Sequence, residues 1–502
     1  EKPKYGFVIP VYDTPDIFLK KLIRSLENQS YGKFEVFFSD ATEYDSSETS
    51  NDPRAIIERV MKSDTRFHYI KLDKNNGISV NTNAAIDQAL KDETIEFIVL
   101  TDHDDELTPD ALYECTKAIN DNPLIRVIYS DEDKTDKNSS YFFEPHMKSD
   151  YNPDMLRSVN YFCHLFMARR DIVTSISETD ADGTEIYEKK EYDGAQDYDL
   201  ILRCCEKAEE LDRELEDKNR LPENIALMKS EGIYTSATIH HIPRVLYHWR
   251  SHQASTASDP AAKMYAFDAG AEAIKAHCLR IGLPFESIET GADLGFYHVT
   301  YKTENPLISV IIPNKDHTDD LDKVIRSLTG GEYKNLEFIV VENNSTEKKT
   351  WDYYDEIQKE FENVRVVKWE KEFNYSAINN YGISYATGDY ILFMNNDIEL
   401  ISDNAIREML MYVQRDDVGI CGAKLLYPDD SIQHAGVVIG FGGIAGAAFV
   451  TTPKGQFTYM HRAQCIQDYS SVTAAVMMSK RSVIDAVGGF SMDLAVAFND
   501  ID

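Results

Sequence analysis

Residues 7–26, FVIPVYDTPDIFLKKLIRSL, return in altered form as residues 309–328, SVIIPNKDHTDDLDKVIRSL. Each is an apolar run rich in β-formers, then a proline, a polar turn and a helical pattern. In the first, Leu19, Leu22, Ile23 and Leu26 recur at i, i+3, i+4 and i+7, one face of a helix, and Thr14 and Pro15 are start signals for it. Three more pairs follow in the same order. FEVFFSD (34–40) matches LEFIVVEN (336–343), EFIVLTDHDD (96–105) matches DYILFMNNDI (389–398), and DGAQDYD (193–199) matches AFNDID (497–502). Pro10 to Pro313 and Asp197 to Asp500 each span 303 positions, and Asp104 to Asp397 spans 293. Collinear matches at nearly constant spacing identify a tandem duplication of one domain. Alternating strand and helix patterns predict an α/β fold with a mostly parallel, Rossmann-like sheet in each copy. The expected division is a first domain over 1–262, a helical linker over 263–304 and a second domain over 305–502. The second copy stops two residues after Asp500, whereas the first continues through His248 and Arg250, so the second domain reads as C-terminally truncated.

A length of 502 residues exceeds what one hydrophobic core supports, which agrees with two domains. With 52 basic and 86 acidic residues the net charge is −34. Such a surface repels nucleic acid as a whole, and an anionic small ligand needs a metal ion or a local basic cluster to be held. Seven cysteines without metal-ligand spacing suit a reducing compartment. The polar opening residues contain no signal-peptide pattern, and the expectation is a soluble cytoplasmic protein. The longest apolar stretch, AGVVIGFGGIAGAAFV (435–450), is shorter than the ~20 residues of a spanning helix. Its five glycines predict a buried loop or strand.

The strand pattern EFIVL runs into Asp102, His103, Asp104 and Asp105. In open α/β sheets ligands bind beyond the carboxyl ends of the strands. Two carboxylates one residue apart, Asp102 and Asp104, can converge on a hard cation, Mn²⁺ or Mg²⁺, of the kind that also holds substrate phosphates. The alternative is a solvated turn before a helix with Thr108 as its N-cap and Pro109 at its first position.

In this setting the chain resembles two fused family 2 glycosyltransferase domains of the GT-A fold, as in bacterial enzymes that build O-antigen and other surface polysaccharides. The resemblance rests on FVIPVYDTP, NNGISVNTNAAI (75–86), LTDHDDELTP, IYSDEDK (128–134), GAQDYDLILR (194–203) and IPRVLYHWRSHQAST (242–256). In the second half it rests on SVIIPNKD, FNYSAINNYGI (373–383), LFMNNDIEL and VGGFSMDLAVAFNDID (487–502). It implies inverting transfer of a sugar from a nucleoside diphosphate sugar, of UDP or dTDP type, to a saccharide or lipid-linked acceptor. Peripheral membrane association through such an acceptor would follow.

The same resemblance assigns residues. Pro10, Val11, Tyr12 and Asn76 would surround the nucleotide, with Pro313 as the second copy's counterpart. Asp40, and Glu342 in the second copy, would read the base, although a plain turn aspartate explains Asp40 as well. Asp102 would contact ribose or metal, and Asp104 and Asp397 would hold metal. Asp197, with Asp500 in the second copy, falls where the family places its general base. Gln196 stands where a Glu is usual, and Asp199 is a competing base. The cluster His240, His241, Arg244, His248, Trp249, Arg250 and His252 points to His248 as a closing metal ligand and Arg250 as a diphosphate contact. Asn395 replaces the first acid of the second copy and weakens that site. The aromatic-rich stretch 141–170 lies where an acceptor would enter, or else packs a subdomain core. A nucleotidyltransferase would need a glycine-rich loop after the first strand, which PVYDTP lacks. A non-catalytic carbohydrate-binding scaffold remains open for the second copy.

Overall fold

A computed structural model of the chain describes residues 2–44, 51–230, 235–251, 264–291 and 293–501. It divides into two units that meet within residues 285–300.

In the first unit, β1 (Tyr5–Val11), α1 (Asp16–Glu27), β2 (Phe34–Asp40), α2 (Pro53–Met61), β3 (Phe67–Lys71), α3 (Ile78–Leu90) and β4 (Phe97–Leu100) build a parallel half-sheet. There follow β5 (Glu106–Leu107), α4 (Ala111–Asp121), β6 (Val127–Asp136), β7 (Phe142–His146), α5 (Pro153–Ser158), β8 (Phe166–Arg169) and α6 (Arg170–Ser175). A small hairpin, β9 (Glu178–Thr179) and β10 (Glu185–Ile186), precedes α7 (Gln196–Asp217), α8 (Glu223–Ser230) and β11 (Ile239–Ser251). The sheet order is β3-β2-β1-β4-β8-β6-β11-β5, with β7 beside β6 and β8 antiparallel to both its neighbours. Leu19, Leu22, Ile23 and Leu26 are buried on α1 against Phe7, Ile9, Val36 and Phe38. Burial of side chains this size contributes about 1.5–3 kcal/mol each.

The helix of the expected linker, α9 (Met264–Arg280), packs on α7 and belongs to the first unit. His277 Nδ1 lies 2.7 Å from Glu206, and the Arg280 Nε donates to the same carboxylate at 2.8 Å. The change from one unit to the other falls within the 263–304 segment, in the hairpin β12 (Phe285–Thr290) and β13 (Tyr297–Tyr301). Residues 262 and 263 themselves lie outside the described residues.

The second unit repeats the plan. It comprises β14 (Ile308–Asn314), α10 (Thr318–Gly330), β15 (Leu336–Glu342), α11 (Lys348–Glu360), β16 (Val364–Lys368), α12 (Tyr375–Ile383), β17 (Tyr390–Met394), α13 (Ala405–Val413) and β18 (Ile420–Gly422). Two small pairs follow, β19 (Leu425–Leu426) with β20 (Ile432–His434) and β21 (Val437–Ile439) with β22 (Ala445–Ala447), then β23 (Val476–Lys480) and α14 (Arg481–Val487). Its sheet order, β16-β15-β14-β17-β23-β18, reproduces β3-β2-β1-β4-β8-β6 strand for strand. The apolar stretch 435–450 departs from its expected burial. It forms the β21–β22 hairpin, whose tip exposes Ile439, Phe441 and Ile444 at 57, 59 and 68 %. Among the described residues no helix is long and apolar enough to cross a membrane.

Candidate active site

The antiparallel register of β4 and β8 pairs Leu100 with Phe166. Two residues after Leu100 and two before Phe166, this sets Asp102 opposite His164, whose Nε2 lies 3.4 Å from the Asp102 Oδ2. Asp102, Asp105 and His164 bring a donor atom each within 4.8 Å of one another. Asp105 is fully buried, and both its oxygens are already engaged. The Tyr247 hydroxyl donates to one at 2.6 Å and the Arg250 backbone N–H to the other at 2.7 Å. Burial, with the charges of Asp104 and Asp102, pushes the Asp105 carboxyl well up. We read Asp105 as the anchor of the acidic turn. Asp102 and His164 are the donors that face outward, with the half-buried Asp104 on the same turn.

His164 is held from several sides. Its ring stacks on Tyr247 with centroids 4.8 Å apart, and its backbone N–H donates to Glu132 at 3.2 Å. The buried Lys148 ammonium donates to the carbonyls of Phe162 and His164 at 2.6 and 2.5 Å. Burial lowers the His164 pKa, but Asp102, Asp105 and Glu132 outweigh it and bring it to about 9. The Nδ1 is buried without a hydrogen-bond partner. Carboxylate oxygens beside an imidazole with unspent capacity fit a divalent cation, the oxygens suiting Mg²⁺ or Mn²⁺ and the imidazole favouring Mn²⁺.

Asp197 opens α7, and the Asn160 amide donates to its Oδ2 at 3.1 Å. Burial pushes its carboxyl up, the His164 charge opposes this, and the Asp102 charge adds to it. The base candidate and the acidic turn thus share one electrostatic environment. Gln196 turns back to accept the Gly194 N–H at 2.8 Å. Asp193 of the same loop accepts the Ser79 N–H at 3.3 Å at the start of α3. Gly77, at φ 102°, caps that helix, and a Cβ there would lie 2.4 Å from the Asp193 carboxylate. This contact joins the half-buried Asn76 segment to the loop that carries the base.

The competitor Asp199 has another task. Fully buried, it accepts the Arg203 Nε at 2.8 Å and lies 3.6 Å from Arg280. Asp199→Ala would leave the buried Arg203 guanidinium without its carboxylate, held only by the Ile176 and Tyr187 carbonyls, so a loss of about 3–5 kcal/mol is expected in denaturant melts. An unchanged midpoint would return Asp199 to the list of candidate bases.

The structure corrects two expectations from the histidine-rich strand. His248 sits 2.5 Å from Asp133 through Nδ1 and tilts against Phe142, because β11 pairs with β6 in a register that sets those residues side by side. The histidine beside Asp102 is His164, on β8's approach. Arg250 is fully buried and does not face a diphosphate. Its Nε donates to the Asp104 carbonyl at 2.6 Å, and its other nitrogens bind the Asp136 and Lys137 carbonyls, Ser139 and Glu106. The rest of the cluster is split among separate partners. His241 lies between Asp131 at 2.8 Å and Asp150 at 3.1 Å, and Arg244 pairs with Glu114. His252 lies outside the described residues.

The expected nucleotide loop follows β1. Pro10 is half-buried, Val11 buried and Tyr12 47 % exposed. Thr14 and His103, 3.0 Å apart, tie this loop to the acidic turn. Asp40 ends β2, buried and already bonded by Tyr44 at 2.5 Å, Tyr69 at 2.7 Å and the Thr42 N–H. In the second unit, Pro313 is half-buried and Glu342 is engaged likewise, by Ser345 at 2.5 Å and Tyr354 at 2.7 Å. Of the aromatics of 141–170, Tyr161, Phe162 and Phe166 pack inward, Phe162 stacked on Tyr129 at 3.7 Å and Tyr161 edge-on to it, whereas Tyr141 and Phe142 are exposed.

Sequence reasoning missed His164, Asn160 and Glu188. Glu188 is a buried acid pushed well up by burial and by Asp197 and Asp102. A histidine two residues before a strand antiparallel to the acidic one was the available signal.

The second unit keeps the scaffold and loses the cluster. Phe393 pairs with Met477 as Leu100 pairs with Phe166, so the positions of Asp102, Asp105 and His164 hold Asn395, Ile398 and Ala475. Asp397 is exposed, and Asp500 accepts the Ala474 N–H at 3.3 Å.

Carboxylates and an imidazole gathered at the carboxyl edge of a mostly parallel sheet mark a ligand site common to a broad class of α/β proteins. Comparison narrows that class. The chain belongs to glycosyl transferase family 2, whose pattern matches residues 7–176 and again 309–484. An uncharacterized protein of Sinorhizobium fredii, y4gI, is 35 % identical across all of this chain, which spans 50 % of that protein. The O-antigen biosynthesis protein RfbC of Myxococcus xanthus is 30 % identical, again across the whole chain, which spans 36 % of it. The chain thus covers half or less of the length of these relatives. Among solved structures, S. aureus TarS 1–349 with UDP-GlcNAc aligns over 55 % of this chain and 66 % of its own, with 14 % identity and a TM-score of 0.37.

Proposed function

We propose that the first unit transfers a sugar, with inversion, from a nucleoside diphosphate sugar of uridine or thymidine type to a saccharide or lipid-linked saccharide in cell-surface polysaccharide synthesis. The observation that carries this reading is the shared environment of Asp197, Asp102 and His164 across one sheet edge. Asp102 and His164, with Asp104 beside them, would hold Mn²⁺ or Mg²⁺. That ion would neutralise the diphosphate and so ease its departure. Asp197 accepts the proton of the acceptor hydroxyl, and Asn160 fixes the carboxylate that does so. Partial burial strengthens it as a base, because the charged form is less well solvated. The Tyr247 and Arg250 contacts keep Asp105 from competing for the ion. A name on a relative, O-antigen biosynthesis, supports the polysaccharide context.

The second unit serves as a scaffold or acceptor-binding module in this reading, since Asn395, Ile398 and Ala475 remove the cluster. The test compares Asp104→Asn with Asp397→Asn in the same chain. Transfer should fall on the order of a hundredfold in the first and stay within about twofold in the second. Loss from Asp397→Asn with Asp104→Asn harmless would reverse the assignment of the two copies.

A further inference from the structure

Helix α3 buries a polar face. Ser79, Thr82 and Asn83, at i, i+3 and i+4, are buried toward the segment that leads into the base loop. The Asn83 amide clamps that segment at one residue. Its oxygen accepts the Glu188 N–H at 2.8 Å, and its nitrogen donates to the Glu188 carbonyl at 2.8 Å. Ser79 donates to the next carbonyl, that of Lys189, at 3.3 Å. The second unit repeats the clamp. Asn380 of α12 accepts the Phe490 N–H at 3.0 Å and donates to the Phe490 carbonyl at 2.8 Å. There the clamped residue is apolar, and its ring meets Phe393 and Tyr375 edge-on. The clamp therefore works without an acid, and the fold does not demand Glu188. The first unit nevertheless places this carboxyl at 2 % exposure, and its Oε2 has no hydrogen-bond partner among the described residues. The nearby Thr82 hydroxyl is spent on the Ile78 carbonyl at 3.0 Å.

A buried polar atom left unmet is costly, and it persists where a ligand completes it. The neighbours of Glu188 say which ligand. Asp197 and Asp102 are the carboxylates whose charge acts on it, so it stands close to both the base and the acidic turn. On the reading given above, Asp102 holds the cation on the diphosphate and Asp197 receives the proton of the acceptor. The anomeric carbon is bonded to the diphosphate and attacked from the side of the acceptor, so the sugar lies between the two. We infer that Glu188 is a specificity-determining residue whose Oε2 forms a hydrogen bond with a hydroxyl of the sugar being transferred. Burial, then the charge of Asp197, pushes its carboxyl well up, and a neutral carboxyl both donates and accepts, as a hydroxyl does. A cation is the poorer occupant. Among the described residues, the acids and histidine that bring three ligand atoms within 4.8 Å of one another are Asp102, Asp105 and His164, without Glu188. A donor lacking the matching hydroxyl would leave Oε2 unmet, which is how a polar pocket rejects a deoxy analogue.

The test is calorimetry of the 502-residue chain in Mn²⁺, with UDP and dTDP set against UDP-glucose, UDP-galactose and dTDP-rhamnose. At least one sugar nucleotide should bind more tightly than its nucleoside diphosphate, and the difference is the share of the sugar. Glu188→Ala should cut that share about tenfold or more and leave the affinity for the nucleoside diphosphate within about twofold, which also shows that the variant folds. Glu188→Gln, which can still donate and accept, should restore most of it. Deoxy analogues of the preferred sugar supply the sharper readout. One of them should bind about tenfold or more weakly to the parent chain, and that penalty should vanish in Glu188→Ala. A sugar share that is absent in the parent chain, or that survives in Glu188→Ala, would overturn the inference. So would equal loss of the bare nucleotides in both variants, which would make Glu188 part of the cation site. Failure of the parent chain to bind UDP or dTDP at all would overturn the transferase reading, and this inference with it.

Discussion

Asp197→Asn should lower transfer on the order of a hundredfold or more while donor affinity stays within about twofold, the signature of a lost general base. The substitution preserves the shape of the side chain and its place at the start of α7. It also leaves the Asn160 amide a carbonyl oxygen to bond, so stability should barely move. What disappears is the proton acceptor. The measurement is initial transfer rate against donor titration, with nucleotide affinity read separately by calorimetry. Near-normal transfer would reduce Asp197 to a helix-end acid favoured by the dipole. A parallel fall in donor affinity would make it a binding group.

The second large effect concerns the acidic turn. Binding of UDP or dTDP should be strong with Mn²⁺, weaker with Mg²⁺ and nearly absent with chelator, because a chain of charge −34 has little else with which to hold a diphosphate. With Arg250 spent on backbone carbonyls and Glu106, the described site offers no arginine in its place. Asp102→Asn should remove most of the metal-dependent gain. Loss of an outer-shell partner already costs about 10–100-fold in metal affinity, and a ligand should cost at least that. His164→Ala should do the same and leave the Asp105 anchor in place, since Tyr247 and the Arg250 backbone hold it. Equal nucleotide binding in Mn²⁺ and in chelator would remove the metal from the account.

Much of this was legible from residue patterns. The repeat foretold two like sheets, and the apolar run ending in acids pointed to a candidate site at a sheet edge. Local pattern also located α1 and its buried face. The failures were of pairing. His248 and His164 are both histidines near apolar strands, and only the register of β8 against β4, and of β11 against β6, decides which one meets Asp102. Arg250 looked like an anion contact because arginines commonly are. Its burial depends on carbonyls at 104, 136 and 137, far off in sequence. Asp197 and Asp199, two residues apart on a helix, point to different sides, and Arg203 one turn on from Asp199 was a readable sign of its pairing. The stretch 435–450 misled through composition alone. Its glycines serve a hairpin tip, and its apolar side chains face outward.

The turn carrying Asp102 to Asp105 is secured by Tyr247 and Arg250, which the ribosome delivers more than 140 residues later. A nascent chain that has emerged only through β8 already contains every residue of the cluster, yet it lacks the strand that draws Asp105 inward. Until β11 arrives, Asp105 lacks the Tyr247 hydroxyl and the Arg250 N–H that hold it inward. Competence to capture a cation should then switch on late in synthesis, as a threshold in chain length. Ribosome-arrested chains ending before and after Ser251 would locate that threshold.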